Sequence, residues 1–236
     1  MIAALLLLAA AVQLGLRFAG KPSLASRVLP LGEGAPFAIW GARLWLSFAA
    51  PALLALVLLG RADALWRVPP ELDGAVRLAR TWGRLTPGPI LLGLTIGSAL
   101  GAVFAWWRAR RGKRPVHLGR PPTLPAGRRE LPGALALALS AGAAEELYFR
   151  LALPLVAAAA TGSAIAGVAA GAVCFGALHR YQGWVGVVAT TAAGVFLSFL
   201  HLGSGHFWLA VVAHVMIDVN ALVVRPALAW RPREAR

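Results

Sequence analysis

The sequence predicts an all-α membrane protein, a polytopic transmembrane helical bundle of about seven spans. Of its 236 residues, 59% are hydrophobic and only 14% are charged, whereas a soluble domain carries about 25% charged residues. Apolar stretches that approach the roughly 20 residues needed to cross a bilayer recur along the chain. We predict spans at about 1–18, 36–60, 89–107, 132–159, 163–179, 184–201 and 206–224.

The first apolar stretch has the length of a secretory signal peptide. However, Met1–Phe18 lacks the basic segment that precedes the apolar part of such a signal. We therefore predict a retained membrane helix over these residues.

The chain divides by composition into four parts. We expect peripheral transmembrane helices over 1–107, a basic cytoplasmic loop over 108–130, a helical core over 131–224 and a basic tail over 225–236. A proline-rich stretch at 115–132 is typical of a linker and separates the first spans from the core.

Small residues inside the spans indicate close helix packing. Gly97 and Gly101, like Gly167 and Gly171, have the GxxxG spacing that lets two helix backbones approach each other. The single cysteine, Cys174, lies within a predicted span, so no intrachain disulfide can form and we expect a packing role for it.

The net charge of +14 lies mainly in the connections between spans. The basic loop and the tail contain Arg108, Arg110, Arg111, Lys113, Arg114, Arg120, Arg128, Arg129, Arg225, Arg231, Arg233 and Arg236. The positive-inside rule makes both regions cytoplasmic, and seven spans then place the N-terminus outside. The loop at 61–88 would be external although it carries five arginines. No nucleic-acid-binding motif accompanies these charges, so we expect them to contact anionic lipid headgroups.

Ionisable residues inside the predicted spans are few. Of the nine acidic residues, only Glu145, Glu146 and Asp218 fall within a span. Among the five histidines, His214 lies in the middle of a span and His179 at the end of another; we place His117, His201 and His206 in loops or at the interface. A charged group at bilayer depth costs several kcal/mol unless it is paired or hydrated, so such residues indicate a functional site.

These residues form three short patterns on three predicted helices. The patterns are Glu145-Glu146-x-x-x-Arg150, Phe175-x-x-x-His179 and His214-x-x-x-Asp218. Residues four apart share a helix face, so Glu146 can pair with Arg150, and His214 and Asp218 can face one cavity. Glu145 is rotated by about 100° from Glu146 and is free to point into the bundle.

Each pattern by itself has a structural explanation. Glu146 and Arg150 could form a buried ion pair, and His179 could be an interfacial residue at a helix end. His214 and Asp218 could be a hydrogen-bonded pair, and Phe175 could be a packing residue. The presence of all three patterns in one chain favours a functional site.

The three patterns resemble those of the CPBP family, the CAAX protease and bacteriocin-processing intramembrane peptidases that are also called the Abi family. EExxxR, FxxxH and HxxxD or HxxxN follow one another on successive core helices in that family. The resemblance covers about 131–224. It implies an intramembrane glutamic endopeptidase and identifies 131–224 as the catalytic core.

The resemblance also implies a role for each matching residue. Glu145 would be the general base that activates water, and His179 would orient that water. His214 and Asp218 would stabilise the oxyanion, while Glu146, Arg150 and Phe175 would support the site. No cofactor is implied, and the substrate would be a membrane-anchored protein or peptide, such as a C-terminal sorting signal or a leader peptide.

Two alternatives remain open from the sequence. The histidines and carboxylates could instead hold Zn²⁺ with a bound water as nucleophile, although no HExxH motif is present. The chain could also be a non-proteolytic immunity protein, scaffold or carrier. Its composition, rich in alanine, arginine and glycine, suggests a high-GC bacterium, so we expect an integral protein of the bacterial inner membrane with a cytoplasmic C-terminus.

Overall fold

The computed structural model describes residues 1–30, 36–113 and 124–229. No β-strand occurs among these residues, and the all-α class predicted from the sequence is confirmed. The helices are α1 (Ile2–Phe18), α2 (Leu24–Val28), α3 (Phe37–Leu44), α4 (Ala50–Leu58), α5 (Asp73–Arg80), α6 (Pro87–Arg110), α7 (Leu131–Glu146), α8 (Leu153–Thr161), α9 (Ala164–Leu178), α10 (Gly183–Ser204), α11 (Phe207–Val219) and α12 (Arg225–Ala229).

Three pairs of helices are joined end to end. α3 continues into α4, α7 into α8 and α11 into α12 through π-helical turns at Trp45–Ala49, Leu147–Ala152 and Asn220–Val224. Each of these turns ends two residues before a proline: Pro51, Pro154 or Pro226. Proline has no N–H, and in a regular α-helix its ring collides with the carbonyl four residues earlier. A wider turn relieves the collision and keeps the helix continuous.

Helices lie at all seven positions where the sequence predicts spans. Within the described ranges, four are long and apolar enough to cross a membrane: Phe37–Leu58, Pro87–Arg110, Arg180–Ser204 and Phe207–Leu228. Ile2–Phe18 and Ala164–Leu178 are shorter apolar helices. The remaining predicted span corresponds to α7–α8, the helix that carries the two adjacent glutamates.

The continuous helix α7–α8 lies at the centre of the bundle. α7 packs against α3 and α11, and α8 packs against α1 and α9. α10 packs against both α9 and α11. An aromatic cluster fills the middle, with the Phe149 ring 5.2 Å from Phe48, 4.9 Å from Tyr148 and 5.5 Å from Phe175. This arrangement brings the three helices that carry the sequence patterns into one core.

The two GxxxG pairs differ in their surroundings. A Cβ added to Gly167 would lie 2.5 Å from the carbonyl oxygen of Pro154, and one added to Gly171 would collide with the carbonyl oxygen of Phe149. Close approach of α9 to the continuous helix α7–α8 therefore requires glycine at both positions. Gly97, by contrast, has no neighbouring atom of a described residue within 4 Å of such a Cβ. The prediction of close packing is confirmed for the second pair and is wrong for Gly97, which lies on an open helix face.

Candidate active site

The predicted catalytic side chains lie together around the imidazole of His214. Glu145 comes from the last turn of α7, His214 and Asp218 come from α11, and His179 directly follows α9. His179 is close enough to interact electrostatically with both His214 and Asp218. Three separate helices thus supply one cluster of two carboxylates and two imidazoles inside an apolar bundle.

His214 is buried and faces a carboxylate on each side. Its Nδ1 lies 2.7 Å from Oε1 of Glu146, a hydrogen bond in which the ring nitrogen donates to the carboxylate. Its Nε2 lies 3.8 Å from Oε2 of Glu145 and 3.6 Å from Oδ2 of Asp218. Because Nδ1 is engaged with Glu146, the Nε2 edge is the one directed toward the other two carboxylates. These last distances are too long for direct hydrogen bonds.

Glu146 is fully buried and serves two partners with a single oxygen. Its Oε1 lies 3.1 Å from Nη1 of Arg150 and also accepts the hydrogen bond from His214. The sequence predicts the pairing with Arg150, since the two residues are four apart on one helix. It does not predict the contact with His214, which is on another helix. Glu146 therefore connects the motif on α7 with the motif on α11.

Arg150 is also buried and is held by charge and by an aromatic ring. Its guanidinium carbon lies 3.9 Å from the centre of the Phe175 ring, within the range of a cation–π interaction. Its N–H groups form no hydrogen bond with any described residue, and the contact with Glu146 is an ion pair only. Electrostatic attraction to Glu146 and the contact with the Phe175 ring therefore hold the side chain in place. A buried cation of this kind depends on its carboxylate partner.

Phe175 contacts more of the site than a packing residue would. Its ring centre is 4.7 Å from that of His179 and 5.7 Å from that of His214, and it lies under Arg150. The Phe175 carbonyl lies 2.7 Å from Nδ1 of His179. Since a carbonyl only accepts, Nδ1 carries the proton, and Nε2 of a neutral His179 is left with a free lone pair. This nitrogen can accept a hydrogen bond from water.

Exposure separates the carboxylates into two kinds. The side chain of Glu146 is 0% exposed, whereas those of Glu145 and Asp218 are 13% and 24% exposed. The Nε2 edge of His214 consequently faces the accessible side of the cluster, and its Nδ1 edge faces the closed side. A substrate could therefore reach Glu145 and Asp218 but not Glu146.

The sequence missed one buried histidine near this cluster. We expect His201 in a loop or at the interface, but it is 1% exposed within α10, where its ring packs against Phe207 at 5.5 Å. The prediction was wrong because α10 continues to Ser204, one turn beyond the predicted end of the span. His201 is near enough to Glu146 to interact with it electrostatically.

The π-turn before Pro154 lets the helix stay continuous through the site, and the position of that proline could have revealed the turn.

The arrangement of the histidines and carboxylates bears on the zinc alternative. Among the described residues, no group of three or more histidine, cysteine or acidic side chains is arranged to hold a metal ion. Metal ligands converge on one point. The carboxylates of this cluster are instead arranged around the ring of His214.

The comparisons agree with the sequence resemblance. Residues 127–220 match the model of a family described as Rce1-like, type II CAAX prenyl endopeptidase. The matched segment contains all three sequence patterns and every residue discussed in this site. No curated protein and no solved structure gives a match to the chain.

Proposed function

We propose that this chain, which carries a CAAX protease family domain over residues 127–220, is an intramembrane endopeptidase that uses Glu145 to activate water. At the family level the match supports hydrolysis of a peptide bond within the bilayer. The observation that supports the mechanism is the placement of His214. One edge of its ring is held by buried Glu146, and the other edge faces the more accessible Glu145 and Asp218.

Glu145 is the general base in this proposal. Its carboxylate removes a proton from water as the water oxygen attacks the carbonyl carbon of the scissile amide. The same carboxyl group then returns the proton to the departing amine when the C–N bond breaks. Glu145 suits this role better than Glu146 because its side chain is partly exposed, whereas both known contacts of Glu146 are to other buried side chains.

His214 and Asp218 stabilise the oxyanion that forms on the carbonyl oxygen. A cationic His214 donates from Nδ1 to Glu146 and has its Nε2–H available for the oxyanion. Asp218, 3.6 Å from that nitrogen, favours the cationic ring. His179 has its free nitrogen available to accept a hydrogen bond from the attacking water and so to orient it.

Glu146, Arg150 and Phe175 position these groups and take no part in proton transfer. Glu146 fixes the orientation of His214, Arg150 balances the buried charge of Glu146, and Phe175 supports Arg150 and both imidazoles. Each of these contacts joins two helices or two turns of the core and so fixes the position of a catalytic group. This matters because a small error in that position reduces the rate steeply.

The substrate in this proposal is a membrane-associated protein or peptide, such as a C-terminal sorting signal or a leader peptide. Integral membrane location follows from the four long apolar helices together with the family. We propose a bacterial inner membrane and a cytoplasmic C-terminus from the composition and the positive-inside rule.

The replacement Glu145→Gln tests the proposed mechanism. It removes the base and keeps the size of the side chain, so peptide hydrolysis by the purified protein should fall by several orders of magnitude. Glu130→Gln is a matched control, since Glu130 is an exposed carboxylate before α7 whose Oε2 accepts a bond from a backbone N–H. Normal cleavage by the Glu145→Gln protein would refute the assignment of the base.

A further inference from the structure

A cavity of about 410 Å³ lies beside the catalytic cluster, between the C-terminal ends of α1, α3 and α9 and the start of α2. Pockets that bind small ligands typically measure about 300–1,000 Å³. Its lining includes Arg17, Lys21, Ser23, Arg43, Arg180 and Tyr181. We call it the basic cavity.

Among the residues that the structure describes, the lining of the basic cavity has four cationic side chains and no carboxylate. Among the described residues, no acidic side chain forms an ion pair with Arg17, Lys21, Arg43 or Arg180. Arg17 and Arg43 are close enough to repel each other. An anion in the cavity would relieve that repulsion, and the cationic side chains of the lining could donate charge-assisted hydrogen bonds to it.

The walls of the cavity are held in place by contacts that do not involve a ligand. Nη1 of Arg180 donates to the carbonyl of Phe18 at 2.7 Å, which ties the end of α9 to the end of α1. The guanidinium of Arg17 lies 4.9 Å from the Phe48 ring, and its Nε is shielded from solvent with no hydrogen-bond partner in the part of the chain that the structure describes. A site built in advance binds more tightly because less ordering is needed on binding.

The basic cavity is adjacent to the reacting groups. Tyr181 lines it, and the ring of that tyrosine lies 5.7 Å from the ring of His179. Tyr181 interacts electrostatically with both Glu145 and Asp218, and Arg17 interacts with Glu145. A peptide whose scissile bond lies at Glu145 would therefore have a nearby part of its chain at the cavity.

We propose that the basic cavity is a substrate subsite that binds a carboxylate of the peptide on one side of the scissile bond. This inference rests on the proposed endopeptidase function and adds to it a preference for acidic substrates. The carboxylate could belong to an acidic side chain or to the C-terminus of the peptide. We favour a group of the substrate over the phosphate of a lipid headgroup because the cavity lies against His179 and near Glu145, where a bound peptide must pass.

Binding of four versions of one peptide to the full-length Glu145→Gln protein tests the subsite without requiring cleavage. The probe is an N-palmitoylated fluorescent octapeptide with Glu or Gln at one position and a free or amidated C-terminus, in nanodiscs of phosphatidylcholine. Removing the recognised carboxylate should weaken binding by about 10- to 100-fold, as expected for hydrogen bonds to a charged group. The version that loses affinity identifies the source of the carboxylate. The comparison is repeated with the glutamate placed at each position of the peptide in turn. Equal affinity for all four versions at every position would overturn the proposal.

Variants of the cavity connect that preference to these side chains. Lys21→Gln and Arg43→Gln should each reduce the ratio of affinities for carboxylate and amide peptides, and Arg43→Lys should restore most of it. Arg27→Gln removes the same charge from α2, outside the cavity lining, and should leave the ratio unchanged. An equal loss of affinity for carboxylate and amide peptides would contradict a carboxylate subsite.

Three further results separate the outcomes. If phosphatidylglycerol in the nanodisc changes the behaviour of Arg43→Gln while peptide charge does not, the cavity is a lipid site and the proposal fails. If the wild-type protein cleaves peptides in a Glu145-dependent manner without any charge preference, the subsite fails and the endopeptidase function stands. If the charge preference is present but no Glu145-dependent cleavage occurs with any peptide, the endopeptidase function fails.

Discussion

Replacing Glu146 should destabilise the protein, whereas replacing Glu145 should not. Glu146→Gln leaves Arg150 as a buried cation without its carboxylate, because the structure provides no hydrogen-bond acceptor for its N–H groups among the described residues. Breaking a buried ion pair by removing one partner costs about 3–5 kcal/mol. That is a large part of the total stability of a typical protein, which is about 5–15 kcal/mol.

The size of this loss depends on both partners of Glu146. The glutamine can still accept a hydrogen bond from Nδ1 of His214, so the main cost is the uncompensated charge of Arg150. The double replacement Glu146→Gln with Arg150→Met removes that charge and fills its volume, and should recover most of the lost stability. Glu145→Gln should leave stability equal or higher, because it neutralises a carboxylate that makes no direct hydrogen bond to any residue described in the structure.

Equilibrium unfolding in mixed micelles, followed by circular dichroism, measures these differences. Glu130→Gln serves as the control for the chemical change, and its effect should stay within about 0.5 kcal/mol, as expected of surface substitutions. If Glu145→Gln is the more destabilising replacement, the two glutamates have the opposite roles. If the double replacement is no more stable than Glu146→Gln alone, the stability argument for Arg150 is refuted.

The other predictions concern the metal, the helix packing and the proline-linked turn. Exhaustive chelation should leave proteolysis unchanged, and elemental analysis should find no stoichiometric zinc; one zinc per chain, lost and restored together with activity, would establish the metal mechanism instead. Gly171→Ala should destabilise the protein by about 1–3 kcal/mol in the same unfolding assay, because the added methyl collides with the Phe149 carbonyl; Gly97→Ala is the matched control and should not destabilise it. Pro154→Ala should allow a regular α-helical turn before residue 154. We expect the His214 signals in NMR spectra to shift and activity to fall, because the π-turn sets the geometry of the site.

Much of the candidate site could be predicted from the sequence because it depends on spacing along single helices. Glu146 and Arg150 pair as their separation of four residues predicts, and His214 and Asp218 lie on one face for the same reason. Phe175 and His179 likewise lie within contact distance at that spacing. The π-turns were not predicted, although each of the three precedes a proline by two residues, a signal that is visible in the sequence.

The sequence by itself determined the all-α membrane class, the positions of the long apolar helices and, except for His201, which acidic residues and histidines lie within them. These features follow from hydrophobicity and from the local period of a helix, which need no knowledge of neighbouring segments. Only the tertiary structure decided that Glu146 bonds to His214, that Glu145 and Asp218 face the accessible side, and that four cations from distant segments line one cavity. Such contacts depend on the rotation and depth of each helix relative to its neighbours, and these are set by packing between helices.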